Sequence, residues 1–410
     1  MSILASAFRE QVKKTKDIAM ISEQTHSVCY STGFLTIDFL NGHILEIDER
    51  KYFQIGIVDG SINAVIARSG EGKTTLCAQM AANIIRPFET SCIFFDGAEG
   101  GLVLQRGMQL TGFGPEMFRR KCIFRDAGVT TETIYERVKL IHDIKTKDPD
   151  KYLYDTGIID EHGKHVMKFE PTVYVIDSLK TVLPRKLTED SGTNMNGATT
   201  ARVNSDIFLR LVPMCKQANI IMLVINHITV GGVASVMPTK AEIAYLKPGE
   251  SLPGGKTTSQ YLQNNIFRLD NKVKLKDSDK WFIDGAIVEV SIVKSRTNKA
   301  GKGCRIVFNQ EIGYDTDLTL LNFIEEKGLI EGIGANLRIA GLEEVKFSRK
   351  NFKEVLYTNE TFHKHFVNTC LEHLKADLLE RHEKQKAEEN IKLGSLANPY
   401  EAILSQLQSE

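Results

Sequence analysis

The stretch Ile62-Asn-Ala-Val-Ile-Ala67-Arg68-Ser69-Gly70-Glu71-Gly72-Lys73-Thr74-Thr75 decides how the rest of the chain is read. A short apolar run enters a loop of the A/G-x-x-x-x-G-K-S/T form, and a helical pattern over Thr75–Ile85 leaves it. Strand, glycine-rich turn and helix in that order make a phosphate-binding loop. Gly70 and Gly72 let backbone N–H groups turn inward around phosphate oxygens, Lys73 reaches the β- and γ-phosphates, and the Thr74 hydroxyl suits Mg²⁺. The helix presents its N-terminus to the same anion. Residues Arg68, Ser69, Gly70, Glu71, Gly72, Lys73, Thr74 and Thr75 are therefore expected around a nucleoside triphosphate, ATP, with its Mg²⁺.

Four further apolar runs, Cys92–Phe95, Val173–Ile176, Ile220–Ile225 and Val288–Val293, are separated by helix-length segments. Parallel strands buried on both faces and joined by crossover helices read this way, so the fold class is α/β. Each run ends in polar residues: Asp96 to Glu99, Asp177, Asn226-His227 and Lys294-Ser295-Arg296. Ligands of open α/β sheets sit beyond the carboxyl ends of the strands, so all five polar clusters are expected on one edge. Asp177 at its strand tip suits the magnesium, through a water. Glu99 is placed to polarise the attacking water, with Asp96 as its rival. Asn226-His227 is placed to feel the γ-phosphate and to lead into a long loop, 229–256. Strand alternation puts Lys294 and Arg296 on one face. They either pair with local carboxylates or complete an ATP site across a subunit interface, as arginine fingers do.

Outside these motifs, residues 1–18 place Ile3, Leu4, Ala7, Phe8, Val12 and Ile18 at amphipathic helical spacing, with Arg9, Lys13, Lys14 and Lys16 opposite. That face is buried either on the chain's own core or on a neighbouring subunit. Residues 142–170 read as an irregular surface excursion, and 229–265 as a glycine- and proline-rich loop of the length usually reserved for function. After about residue 325 the pattern is helical and charged. The 52 basic and 52 acidic side chains cancel, which excludes nucleic-acid binding by bulk basicity and leaves local loops or repetition. Seven scattered cysteines, none in a C-x-x-C pair, indicate neither a zinc site nor a disulfide framework. No apolar stretch approaches the roughly 18 residues that span a bilayer, so a protein neither exported nor membrane-inserted is expected.

The order and spacing of the motifs resemble the RecA-type recombinases from about Tyr30 to Asp317, most closely the UvsX branch of T-even-like bacteriophages. The resemblance rests on Ser31-Thr-Gly33, Gly70-Glu-Gly-Lys-Thr-Thr75, Phe94-Phe-Asp96 with Glu99, Val175-Ile-Asp177-Ser-Leu179, Val224-Ile-Asn226-His227, Gly254-Gly255 and Val293-Lys294-Ser-Arg296-Thr297. It implies a RecA-like P-loop ATPase core with a mostly parallel twisted sheet (28–325), an N-terminal oligomerisation helix (1–27) and a small C-terminal region with a helical tail (326–410). It implies a DNA-dependent ATPase that exchanges strands between single- and double-stranded DNA for recombination, repair and recombination-dependent replication. The protein would assemble as a helical homo-oligomeric filament in the cytoplasm of an infected bacterial host, beside a single-strand-binding protein and a loader. Leu183–Gly197 corresponds to the first DNA loop, with Arg185 and Lys186, and Thr229–Lys256 to the second, with Lys240, Lys247 and Lys256. His227 would couple both loops to the nucleotide, and Lys294 and Arg296 would come from the next protomer. The chain writes Asp96-Gly-Ala-Glu99 where the family usually has Asp-x-Glu, which keeps both carboxylates in play. A hexameric helicase of the same core would need an N-terminal collar, and only about 30 residues precede this core. A non-catalytic ATP-binding paralogue would not need the full set Lys73, Thr74, Asp177 and Glu99.

Overall fold

The apolar run before the phosphate-loop motif, Ile62–Ala67 (β1), becomes the middle strand of a nine-stranded sheet. The computed structural model describes residues 26–97, 104–125, 128–189, 197–230, 246–276 and 281–407, with side chains up to 388 except at 188–189 and 197–199. In chain order the other sheet strands are Ile93–Gly97 (β2), Cys122–Arg125 (β3), Thr172–Asp177 (β4), Ile220–His227 (β5), Asn265–Leu275 (β6), Gly285–Ser295 (β7), Gly303–Asn309 (β8) and Gly313–Asp315 (β9). They pair in the order β9-β8-β7-β6-β1-β5-β4-β2-β3. Neighbours from β6 to β3 are parallel, and β7, β8 and β9 turn antiparallel.

The period-two alternation of β5 shows how the layers form. Ile221, Leu223 and Ile225 enter one apolar cluster, while Ile220, Met222 and Val224 enter the other. The first cluster is closed by the helix after the phosphate loop, Lys73–Ile85 (α2), through Leu76, Cys77, Met80 and Ala81. The second is closed by Thr131–Lys147 (α3) and Gly197–Ala218 (α4), through Ile134, Val138, Phe208 and Leu211. Helices thus cover both faces of the parallel part, as its unbroken apolar strands require.

Three expectations change. The run Val288–Val293 is a sheet strand, but it runs antiparallel to β6, with Ser295 opposite Asn265 and Lys294 opposite Ile266. Its last residues therefore lie at the amino edge, level with Asn63 and Ala64 of β1, and not at the carboxyl edge with the other four clusters. The excursion at 142–170 is regular: α3 runs to Lys147, and an antiparallel hairpin, Leu153–Ile159 with His165–Phe169, follows. This hairpin is tied down by Tyr154, whose hydroxyl donates to that of Tyr30 at 2.8 Å, and by the Lys168–Asp59 ion pair at 2.8 Å. The region after 325 is not only helical. Ile330–Glu331, Leu337–Ile339 and Leu342–Phe347 make a small antiparallel sheet before the long helix Glu360–Leu407 (α6).

This C-terminal part shares one apolar cluster with Val307 of β8 and with Leu318, Leu321 and Ile324 of the helix Thr316–Glu326 (α5). Helix α6 also packs Leu374 and Leu378 against Phe39 of the helix Leu35–Asn41 (α1). The expected N-terminal helix over residues 1–18 lies outside the described residues, as do Glu99 and Lys240.

Phe347, Phe352, Phe362 and Phe366 pack ring to ring, with Phe362 fully buried between Phe347 and Phe352. Phe362→Ala should remove about 3–5 kcal/mol of stability, the usual cost of deleting a buried phenylalanine. Urea denaturation with a loss below about 1 kcal/mol would show that α6 contributes little to the common core.

Candidate active site

The site begins where β1 ends. Ala67 of β1 lies directly beside His227 of β5, and Asp177 of β4 lies beside Gly97 of β2, so four strand tips open onto one edge. Gly70 and Gly72 have φ near +77° and +79°, the left-handed region that glycine enters without strain. A Cβ on Gly72 would stand 2.6 Å from the Tyr314 hydroxyl, which itself donates to the Glu71 carbonyl at 3.3 Å. Among the described residues no side chain caps the N-terminus of α2. Its first N–H groups are thus left to face whatever fills the loop. The Lys73 ammonium, almost fully buried, donates to the Arg68 carbonyl at 2.8 Å and stands 3.4 Å from His227 Nδ1. Burial, and then Asp270, push the Glu71 carboxyl above its ordinary pKa, and its Oε2 is buried without a partner among the described residues.

Thr74 Oγ1 donates to Asp177 Oδ2 at 2.6 Å. A hydroxyl and a carboxylate meeting at the mouth of a phosphate loop are the hard oxygen donors that Mg²⁺ takes alongside phosphate oxygens and water, so these residues fit the ion. Asp96, the rival of Glu99, is occupied otherwise. It is buried, paired with Arg137 of α3, and accepts from the Tyr174 hydroxyl. A carboxylate so engaged is a structural tie between β2, β4 and α3 rather than a base open to water.

Asn226 and His227 join the phosphate loop to the root of the long loop. Asn226 Nδ2 donates to the Pro253 carbonyl at 2.8 Å, and its Oδ1 accepts from the His227 N–H at 2.9 Å. Gly254 and Gly255 then pass through a gap only glycine fits. A Cβ on Gly254 would meet Leu179 at 2.8 Å, and one on Gly255 would meet Ala201 of α4 at 2.9 Å. Leu179 follows Asp177, and Ala201 follows Leu183–Gly197, so the roots of both long loops touch. Lys247 and Lys256 are exposed at this root, as are Arg185 and Lys186 at the other. Arg185 is partly spent, since it pairs with Glu136 at 2.9 Å and donates its N–H to Glu132.

Lys294 and Arg296 stand apart, at the opposite edge of the sheet from their own phosphate loop. Asn63, level with Ser295, and Ala67 are four residues apart, roughly 13 Å along the strand. Lys294 donates to the carbonyls of Gln260 and Tyr261, and Arg296 to that of Tyr261. Burial, with Arg296 beside it, pushes the Lys294 ammonium down to about 8. Both cations rest on backbone carbonyls, and no carboxylate among the described residues pairs with either.

The motif reading missed the strand that braces this site. Within β6, Arg268 holds Glu250 through two bonds, 2.6 and 3.1 Å, and Asp270 at 2.8 Å; both Arg268 and Glu250 are buried. Glu250 in turn accepts from the Lys247 N–H at 2.9 Å, fixing the end of the long loop to the strand beside β1. The signal was an arginine inside the apolar run Ile266-Phe-Arg-Leu269.

Over 367 residues the chain is 26% identical to Protein RecA of Wolbachia pipientis subsp. Culex pipiens (strain wPip), covering 81% of this chain and 98% of that protein. It is 25% identical over 348 residues to Protein RecA of Anaplasma marginale (strain St. Maries), covering 77% and 89%. It is 24% identical over 335 residues to Protein RecA of Ehrlichia canis (strain Jake), covering 74% and 85%. No family model matches the chain. Similarity at this level over most of the chain supports a RecA-type recombinase family, and the large, mostly parallel sheet with its helices fits an α/β RecA-like core.

The depressed Lys294 has a consequence for stability. Below pH 8 the ammonium is protonated in both states and contributes no pH dependence. Between about 8 and 10.5 the unfolded chain holds the proton that the folded one has lost, so stability rises with pH. Denaturation midpoints of the wild type should therefore gain on those of Lys294→Met between pH 8 and 10.5. A parallel pair of pH profiles would mean that the side chain is as well solvated as in the unfolded chain.

Proposed function

We propose that the protein is an ATP-dependent DNA-strand-exchange recombinase that polymerises on single-stranded DNA, with DNA-stimulated ATP hydrolysis. The observation that carries this reading is the continuous polar path from Lys73 through His227 and Asn226 to Pro253. It ties a phosphate-binding lysine to the root of a long loop in two side-chain steps.

In this reading the uncapped N-terminus of α2 and the loop amides grip the triphosphate, and Lys73 leaves the Arg68 carbonyl to meet the β- and γ-oxygens. Thr74 and Asp177 would hold Mg²⁺, which when bound neutralises charge on the transferring phosphate. Glu99 orients the attacking water, because Asp96 is committed to Arg137 and Tyr174. Once Lys73 is recruited to phosphate, His227 loses a neighbour at 3.4 Å, and the change is passed through Asn226 to the chain entering Gly254-Gly255. The two loops rooted there, bearing Arg185, Lys186, Lys240, Lys247 and Lys256, meet the DNA backbone. Net neutrality is tolerable, since a polymer repeats a weak contact many times. Lys294 and Arg296, remote from their own loop, serve the site of the next protomer, and residues 1–27 join protomers. The resemblance of motif order to the UvsX branch gives the finer proposal: a phage recombinase acting in the cytoplasm of an infected bacterium, with a single-strand-binding protein and a loader as partners. Among the described residues no helix is long and apolar enough to cross a membrane.

Sharing of the site is tested by complementation. Lys73→Ala should lose nucleotide turnover, and the Lys294→Ala, Arg296→Ala pair should bind ATP yet lose hydrolysis by on the order of 10³ or more. Mixed together they should regain part of the DNA-stimulated hydrolysis, because one order of neighbours still joins an intact loop to intact cations. Full turnover by the double variant alone would sink shared hydrolysis. Electron microscopy with single-stranded DNA and a slowly hydrolysed ATP analogue separates a continuous filament from a closed hexameric ring.

Loop binding to phosphates is tested by salt. Replacing Arg185, Lys186, Lys247 and Lys256 by alanine should flatten the dependence of log affinity for single-stranded DNA on log salt, by roughly 0.7 for each phosphate that is no longer neutralised. ATP binding without DNA should be unchanged. An unaltered slope would place the DNA elsewhere.

A further inference from the structure

Two adjoining hollows lie beneath α6, away from the phosphate loop. The larger, of about 620 Å³, opens between α1, β8, α5 and α6; the smaller, of about 220 Å³, shares Lys302, Arg381 and Lys384 with it. Most charges along their walls are matched. Arg305 pairs with Glu326 at 2.9 Å and Lys327 with Asp377 at 2.8 Å, while Lys384 pairs with Glu380 and Lys299 with Glu388. Two cations remain. Arg381 spends its guanidinium on the carbonyls of Phe39 and Leu40, at the C-terminal end of α1, and on that of Asp377. Lys302 has no ion pair or side-chain hydrogen bond among the described residues. Burial lowers its pKa first, neighbouring Arg381 and Lys299 lower it further, and the Glu388 carboxylate, already paired with Lys299, opposes them in part.

Half-buried like charges side by side raise the energy of the folded chain unless an anion joins them. Another polar atom awaits a partner too: His43 Nδ1, of a residue lining the smaller hollow, is buried with no hydrogen bond among the described residues. Phe39, Phe323 and Leu374 give the larger hollow its apolar surface. A concave space of this size, lined by charged side chains together with an apolar share, suits a small molecule that has both a charged head and an apolar body.

We propose that these hollows bind a small organic oxyanion, its phosphate or carboxylate head held by Lys302 beside Arg381 and its apolar body against Phe39, Phe323 and Leu374. Neither the phosphate loop nor the two DNA-loop roots take part, so the site is independent of the recombinase reading. Because α1 forms one wall and α6 the other, an occupant would clamp the C-terminal helix to the start of the core.

The test is thermal unfolding of the full chain with phenyl phosphate, benzoate or inorganic phosphate, in the wild type, Lys73→Ala, Lys302→Met and Lys302→Gln. Saturating phenyl phosphate or benzoate should raise the midpoint by about 2–4 °C in the wild type and in Lys73→Ala, and by nothing measurable in either Lys302 variant. A shift with only one of the two probes assigns the head group. Inorganic phosphate, with no apolar body, should act more weakly. Both unliganded Lys302 variants should melt at or above the wild-type midpoint, since they shed an uncompensated cation. A shift that survives in the Lys302 variants and disappears in Lys73→Ala would put the anion in the phosphate loop and overturn the proposal. So would lower midpoints for both unliganded Lys302 variants, because Lys302 would then already have its counter-charge.

Discussion

The parallel register of β1 against β5 is the constraint on which the site depends. Ala67 stands level with His227 because Met222 pairs with Ile62 and each following residue keeps step. A slip of one residue would turn every side chain of β5 to the other face, sending Ile221, Leu223 and Ile225 out of one core and into the other. Both faces are filled, so the slip is opposed twice. The separation between Lys73 and His227 is therefore fixed by packing far from either residue, and needs no special bond of its own.

Buried charge does the second part of the positioning. Arg268 with Glu250 and Asp270, and Arg137 with Asp96 and Tyr174, sit where water is scarce. Such groups contribute little net stability over apolar residues of the same shape, but losing one partner is expensive. Their use here is directional. An apolar contact would hold the end of the long loop near β6 in many orientations, whereas the two-pronged contact of Arg268 on Glu250 fixes one. Asp96 shows the opposite face of this economy. A carboxylate fully engaged in holding α3 against the sheet is withdrawn from catalysis, although its place after the second strand is where a water-polarising group is expected.

Much of this was legible in the sequence. The strands β1, β2, β4 and β5 announce themselves as apolar runs because both faces are covered, and the polar residue after each run marks the carboxyl edge. The direction of β7 was missed. Val288–Val293 alternates, with Val288, Val290 and Ile292 buried and Glu289 and Ser291 half-buried; that one-sided pattern, which an antiparallel strand allows, is lost when the segment is taken for an unbroken apolar run, and Lys294 and Arg296 were read onto the wrong edge. Strand β6 was overlooked because Arg268, Asp270, Lys272 and Lys274 break its apolar pattern. The first is buried and the second half-buried in one ion cluster, which periodicity treats as solvent-facing. The hairpin at 153–169 was read as irregular for a related reason. Its ties to the body are mixed: Ile158 and Val166 enter the main apolar cluster, one from each strand, and the rest are hydroxyls and an ion pair, Tyr154 to Tyr30 and Lys168 to Asp59, so no long apolar stripe marks it.

The misplaced cations have a larger consequence than a corrected strand sense. Were Lys294 and Arg296 at the carboxyl edge, a single chain could assemble its own set of cations around a triphosphate, and oligomerisation would be incidental to chemistry. At the amino edge they lie remote from their own loop, and on the proposed reading a second copy brings a phosphate to them. The surface offering the cations differs from the surface offering the loop, so such a contact is head-to-tail, and a head-to-tail contact either closes into a ring or continues as a helix. Meanwhile the two cations rest on the carbonyls of Gln260 and Tyr261, a few residues beyond Gly254-Gly255. A phosphate drawing them away would release the far end of the segment whose near end is held by Asn226. On the proposed reading, the long loop is then addressed by nucleotide from both ends, by its own site through His227 and by its neighbour's through Lys294.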